Sequence, residues 1–238
     1  MAVFFNEQPD YPMSSQTIEY DWKMLKQFDE HLRPGGVVIV SLSQITFSNA
    51  EIGRKENYYQ VLDREDIEPV STFDYYTYTS IPALNSGSVY TALSRDIRDL
   101  RWESHELWVN NGKNYSERKY EMVEAQYKQA VENRDIEQNM ERVTDIVTYC
   151  QTKGYRVVLA MEPVHASYNA CFDEAVMDRL VHQHLASLEL DVPFLNYMTD
   201  ERFIHQREYF HNPDHLNGKG RTLLSSLVYE DLKRLGYL

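Results

Sequence analysis

The chain has 238 residues, 42% of them hydrophobic and 26% charged, enough apolar side chain for one sizeable core and too much for a disordered acidic tail. Its 24 Lys and Arg stand against 37 Asp and Glu, and a net charge of −13 speaks against a nucleic-acid backbone or an anionic membrane surface as partner. No apolar run reaches the roughly 18 residues of a membrane span, the first residues lack a signal peptide's basic flank, and two cysteines inside helical patterns imply no disulfide framework. The expectation from the chain as given is a cytoplasmic protein; a longer native N-terminus would open an extracytoplasmic location.

The segment Val3-Phe4-Phe5-Asn6 reads as a short strand. Ser14 or Ser15 then caps a helix to about Leu32, with Ile18, Trp22, Leu25, Phe28 and Leu32 at helical spacing, and Pro34-Gly35-Gly36 stops it. Val37 to Leu42 is a continuous β-branched run, as expected of a strand covered on both faces. Strand, helix and strand in this order predict a right-handed βαβ unit.

Residues 43–131 have weak apolar periodicity and many tyrosines, with short helices predicted at 57–64 and near 88–100. The stretch from about 50 to 131 reads as a mostly helical or irregular, cap-like insertion in one domain spanning 1–238. The expectation is either a lid with aromatic substrate contacts, or a partner interface or plain packing. Regular order returns at Asn133. Ile136, Met140, Val143, Ile146, Val147 and Cys150 form a helix face closed by Gly154, followed by a strand at 156–161. A helix over 173–188 carries Val176, Leu180, Val181 and Leu188 inward, a strand follows at 193–197, and a last helix spans about 218–234. This alternation predicts an α/β fold: a three-layer α/β/α domain with a doubly wound, flavodoxin-like parallel sheet.

Ligands in such sheets bind beyond the carboxyl ends of the strands, and the loops 6–15, 43–49, 163–168 and 199–217 are placed there. The last contains Asn212-Pro213-Asp214-His215-Leu216-Asn217, where an acid beside a histidine has the makings of a general base. His211 and His215 have the four-residue spacing of a helical metal pair, but Pro213 opposes a helix there, and no metal is expected. No cofactor is expected either: Gly35-Gly36 precedes a strand, and no GxGxxG or Walker pattern occurs. Asn217 reads as the cap of the last helix.

The block Asp214-His215-Leu216-Asn217-Gly218-Lys219-Gly220, with the segment 20–25, the strand after Gly35-Gly36 and the strand ending at Pro163 with Tyr168 beyond it, resembles the SGNH (GDSL-like) hydrolase family, in its branch of cell-surface, polysaccharide-modifying proteins. The resemblance covers most of the core and little of 50–130. It implies a serine esterase or O-acyltransferase acting on a small-molecule or carbohydrate acyl ester of the cell envelope. His215 would be the base, oriented by Asp214 or Asn212. Ser43, Asn49, His165 and Tyr168 would line the substrate cleft. The chain departs from the family in two places. The aspartate three residues before the histidine is Asn212, and the Gly-Asp-Ser nucleophile block is missing. The nucleophile is then Ser14 or Ser15 at a helix N-terminus, or a serine upstream of this chain. The alternative is a catalytically inactive scaffold that binds carbohydrate or protein.

Overall fold

A computed structural model describes the backbone of residues 2–3 and residues 17–49, 58–59, 61–67, 70–81 and 114–238. In chain order, β1 (Ala2–Val3) is followed by α1 (Ile18–Phe28), β2 (Val37–Leu42), α2 (Thr72–Ser80), α3 (Tyr115–Asn133), α4 (Asp135–Thr152) and β3 (Arg156–Met161). Then come α5 (Ala166–Asn169), α6 (Glu174–Met177), a π-helical turn at Asp178–His182, α7 (Gln183–Ser187) and β4 (Phe194–Asn196). A small hairpin of β5 (Phe210–Asn212) and β6 (His215–Leu216) leads into α8 (Gly218–Arg234).

The protein is a mixed α/β fold built on a three-stranded parallel sheet, β2-β3-β4, with β1 at one edge. β2 and β3 pair in full register from Val37↔Arg156 to Leu42↔Met161. β1 runs antiparallel to β2, through Ala2↔Val40 and Val3↔Ile39, so the expected βαβ unit at the start of the chain is not formed. Apolar alternation says nothing about strand direction, and an edge offers backbone pairing either way. It follows that β1 leaves the sheet at the amino ends of the parallel strands, not at the carboxyl ends. The strand order β2-β3-β4 steps in one direction, so the reversal of a doubly wound sheet does not occur among the described strands.

Side chains alternate across the sheet. Val38, Val40 and Leu42 of β2, with Val157, Leu159 and Met161 of β3, pack on one face against α1, α3, α4 and the π turn. Ile39, Val158 and Ala160 point the other way, onto Tyr197 and onto Val228 and Leu232 of α8. Both faces being covered by helices explains why the strands read as unbroken apolar runs.

α1 begins one residue after Thr17, later than the predicted cap at Ser14 or Ser15, and gives way to a 3-10 turn at Asp29–His31. α4 buries Ile136, Val143, Ile146, Val147 and Cys150, with Asn139 the polar exception on that face. Gly154 terminates the helix at φ 79°, a conformation in which a Cβ is unfavourable. The predicted helix over 173–188 is interrupted by its π turn. Leu180 and Val181 are buried in the core as expected, Val176 and Leu188 pack partly buried against it, and Met177 joins the core as well.

The described residues of the region 43–131 include two helices that the weak apolar periodicity did not predict. α3 is a 19-residue helix that begins at Tyr115, well before Asn133. It meets α4 through the single residue Arg134, at φ 63°. α2 is a second helix that the periodicity missed. The predicted helix at 57–64 is represented among the described residues only by a turn at 58–59 and a 3-10 turn at Arg64–Asp66, and the one near 88–100 lies outside them. No described helix is long and apolar enough to cross a membrane.

Candidate active site at the carboxyl ends of the parallel strands

The loops that follow β3 and β4 are stitched together through the main chain. The amides of Val164, His165 and Ala166 donate to the carbonyls of Met198 (3.3 Å), Pro213 (2.9 Å) and Ile204 (2.7 Å). This fixes the β5–β6 hairpin beside the ends of the parallel strands. In the hairpin Asn212 pairs with His215 across an irregular turn that contains Pro213 and Asp214. The Asn212 Oδ1 accepts the Asp214 amide at 3.1 Å, an Asx-type turn that closes the loop.

The hairpin gathers three predicted residues into one constellation. His215 Nδ1 lies 2.7 Å from Asp214 Oδ1 and 2.9 Å from Asn212 Oδ1. Both neighbours are acceptors, so Nδ1 carries the proton and Nε2 is the basic nitrogen of the neutral ring. Asp214 and Asn212 thus both lie within hydrogen-bond reach of the same ring nitrogen. Adjacency of Asp214 to His215 is no obstacle, because Asp214 sits in the turn and not in the strand alternation. The carboxylate is buried and the imidazole half-exposed: their side chains are 7% and 48% exposed.

α3 contributes two more groups to the carboxylate. Tyr115 donates its hydroxyl to Asp214 Oδ1 at 2.7 Å, and Lys119 Nζ stands 3.9 Å from Oδ2. Burial pushes the Asp214 carboxyl up, but the hydrogen bond and charge of His215, the Tyr115 hydroxyl and Lys119 outweigh it, leaving the group below the usual carboxylate range. Tyr115 itself is driven far up, by burial first and by the charge of Asp214 second. Sequence reasoning missed both residues. Their one signal was the spacing of Tyr115, Lys119 and Val123 at four-residue intervals, which places them along one side of a helix.

The other predicted residues are distributed around this core. His165 caps α5, its Nδ1 accepting the Ser167 amide at 3.1 Å, and its ring meets Phe210 edge-on at 5.8 Å. Its imidazole is held below the ordinary value by burial, then by Arg207 and His205. His165 therefore braces the hairpin. Tyr168 is fully buried and stacked on Phe172 at 4.5 Å, so its ring offers no face to a substrate. Its hydroxyl accepts from Gln44 Nε2, joining the α5 segment to the turn after β2.

That turn forms a second cluster. Ser43 donates its amide to Thr46 Oγ1 at 2.8 Å, while Asn139 of α4 reaches across to the carbonyls of Phe47 (2.9 Å) and Asn49 (3.4 Å). Ser43 and Asn49 line a small cavity together with Thr17, Ile18 and Asp21 from the first turns of α1. The structure thus unites Asn212, Asp214 and His215, and places Ser43 and Asn49 in a neighbouring cluster joined to the α5 segment through Gln44 and Tyr168. Ser14 and Ser15 lie outside the described residues. Asn217 caps α8 as expected, with its Oδ1 accepting the Gly220 amide at 3.1 Å and its Nδ2 donating to Glu208 O at 2.7 Å. Comparisons of the chain with protein-family models, with curated proteins and with solved structures gave no match.

Proposed function

We propose that the protein is an SGNH-like serine esterase or O-acyltransferase acting on an acylated carbohydrate or another acyl ester of the cell envelope. The observation that carries this reading is the hydrogen-bonded set Asn212–Asp214–His215, which holds an imidazole with its proton on Nδ1 at the carboxyl ends of parallel strands. In this mechanism Nε2 of His215 takes the proton of a serine hydroxyl as that oxygen attacks the acyl carbonyl. It then returns the proton to the departing alkoxide, while Asp214 stabilises the imidazolium between the two events. The cavity lined by Thr17, Ser43 and Asn49 is our candidate for the acyl or oxyanion side of the cleft. The accompanying fold is the three-layer α/β/α sandwich of that family, a reading supported by helices on both faces of the sheet. The substrate class rests on the family resemblance alone.

The test combines turnover with labelling. The wild-type chain hydrolyses a p-nitrophenyl acyl ester, and His215→Ala loses roughly 10²–10⁴-fold of that rate. A fluorophosphonate probe, followed by peptide mass spectrometry, forms its adduct on a serine, with Ser14 and Ser15 the first candidates. Equal rates for the two proteins, with no serine adduct, would count against the enzyme. That outcome would favour a binding scaffold, a reading supported by Phe73 and Tyr76 of α2, which are 77% and 58% exposed.

A further inference from the structure

One oxygen of Asp214 serves two masters. Oδ1 receives both the Tyr115 hydroxyl and His215 Nδ1, each at 2.7 Å, while Oδ2 faces Lys119 at 3.9 Å. A carboxylate that accepts a second strong hydrogen bond at the same oxygen, beside a cation, has less electron density to offer the imidazole. The side chain of Asp214 is 7% exposed, so water does not level these contributions. Tyr115 and Lys119 are one turn apart on the first two turns of α3, which closes the long tyrosine-rich stretch preceding the regular part of the chain. That stretch therefore has a direct hold on the acid of the dyad.

We infer that Tyr115 is a positioning residue that, with Lys119, holds Asp214 in place and limits the basicity of His215. The inference rests on the proposed role of His215 but makes a claim about the ring that requires no turnover. Among the described residues, the groups that face the carboxylate are Tyr115 and Lys119 from α3 and His215 from the hairpin, with Asn212 sharing the His215 ring nitrogen. Tyr168, from the segment after β3, is near enough for its own ionisation to be pushed up by Asp214, after the larger effect of burial. From the same segment His165 bonds to the hairpin through its amide, with Arg207 and His205 around its ring. Of these, Tyr115 alone donates to the oxygen that His215 also uses.

The experiment follows the His215 ring by NMR during a pH titration of the full chain, in wild type, Tyr115→Phe, Lys119→Met and each of these combined with Asp214→Asn. Removing either group raises the His215 midpoint, by about 0.5–1 pH unit for Tyr115→Phe, since one unit corresponds to about 1.4 kcal/mol and a hydrogen bond to a charged group is worth about that or more. In the Asp214→Asn background the Tyr115→Phe shift disappears, and the Lys119→Met shift shrinks to the direct effect of one lost charge on the imidazolium. If the enzyme reading is right, the acidic limb of the kcat/KM profile moves up by the same amount. Unchanged midpoints in both single variants, or shifts that survive Asp214→Asn at full size, overturn the inference. Lys119→Met keeps the test decisive if Tyr115→Phe does not fold. A chain without esterase activity that still shows the Asp214-dependent shift retains this inference and loses only the catalytic one.

Discussion

Replacing Gly220 by Ala should destabilise the protein, although alanine is the better helix former. Gly220 is the third residue of α8, and a Cβ built there lies 2.2 Å from the Tyr209 carbonyl oxygen, 2.8 Å from Leu216 Cδ2 and 3.1 Å from the Tyr209 carbonyl carbon. Ordinary carbon contacts begin near about 3.5 Å, so the helix or the strand must move by roughly an ångström. The leucine tip can turn aside, but the Tyr209 carbonyl cannot do so cheaply, because it accepts the Asn217 amide at 2.9 Å. Overpacking costs about 1–3 kcal/mol and a weakened hydrogen bond about 0.5–1.5, against a gain of about 0.8–1.0 from helix propensity. The net loss is about 0.5–3.7 kcal/mol, centred on ~2, which lowers the Tm of a chain of this size by roughly 4–8 °C. Urea unfolding should show a lower midpoint at unchanged slope. Stability equal to or above that of wild type would refute the packing argument and leave propensity in command.

Other substitutions probe the site and its supports. Asn139→Ala removes the donor that holds the Phe47 and Asn49 carbonyls and should cost about 1–3 kcal/mol in chemical denaturation, with Asn139→Asp failing to restore it because a carboxylate cannot donate. Asp214→Asn should lower kcat by roughly 10²–10⁴-fold in the ester assay, with KM changed far less, because the interaction with imidazolium develops during the reaction. The same variant should flatten the acid limb of stability. The folded carboxyl lies below its unfolded value, so its contribution is complete above the ordinary carboxylate range and is lost as pH falls through the folded value. Wild type therefore loses more stability on acidification than Asp214→Asn, measured by thermal melts across that range. Burial pushes the Cys150 thiol up to about 12, so iodoacetamide under mildly alkaline conditions should modify Cys171 first and Cys150 only on unfolding.

Strands β2 and β3 and helix α8 were legible to the residue, since each had a strong local signal: a β-branched run, a bounding glycine, or an Asn cap ahead of Gly220. The direction of β1 was not, because a two-residue edge pairing leaves no directional trace. α3 escaped because its inner face is made of Tyr120, Val123, Tyr127 and Ala130, and tyrosines at core positions look like surface aromatics until their partners are known. The residues Asn212, Asp214 and His215 were identifiable from the C-terminal block, yet their mutual geometry depended on an irregular hairpin that composition does not specify. Tyr115 reached the acid across a separation of 99 residues, a distance at which local pattern is silent.

The stitching of the two strand-end loops is done by peptide groups, and this has a consequence for how the site tolerates change. The seam itself asks only for an amide and a carbonyl at each position, so the buried side chains of Val164, Met198 and Ile204 answer to packing alone, whereas an imino acid at 164, 165 or 166 deletes one stitch outright. The imidazole thus keeps its address through peptide groups that belong to no particular side chain.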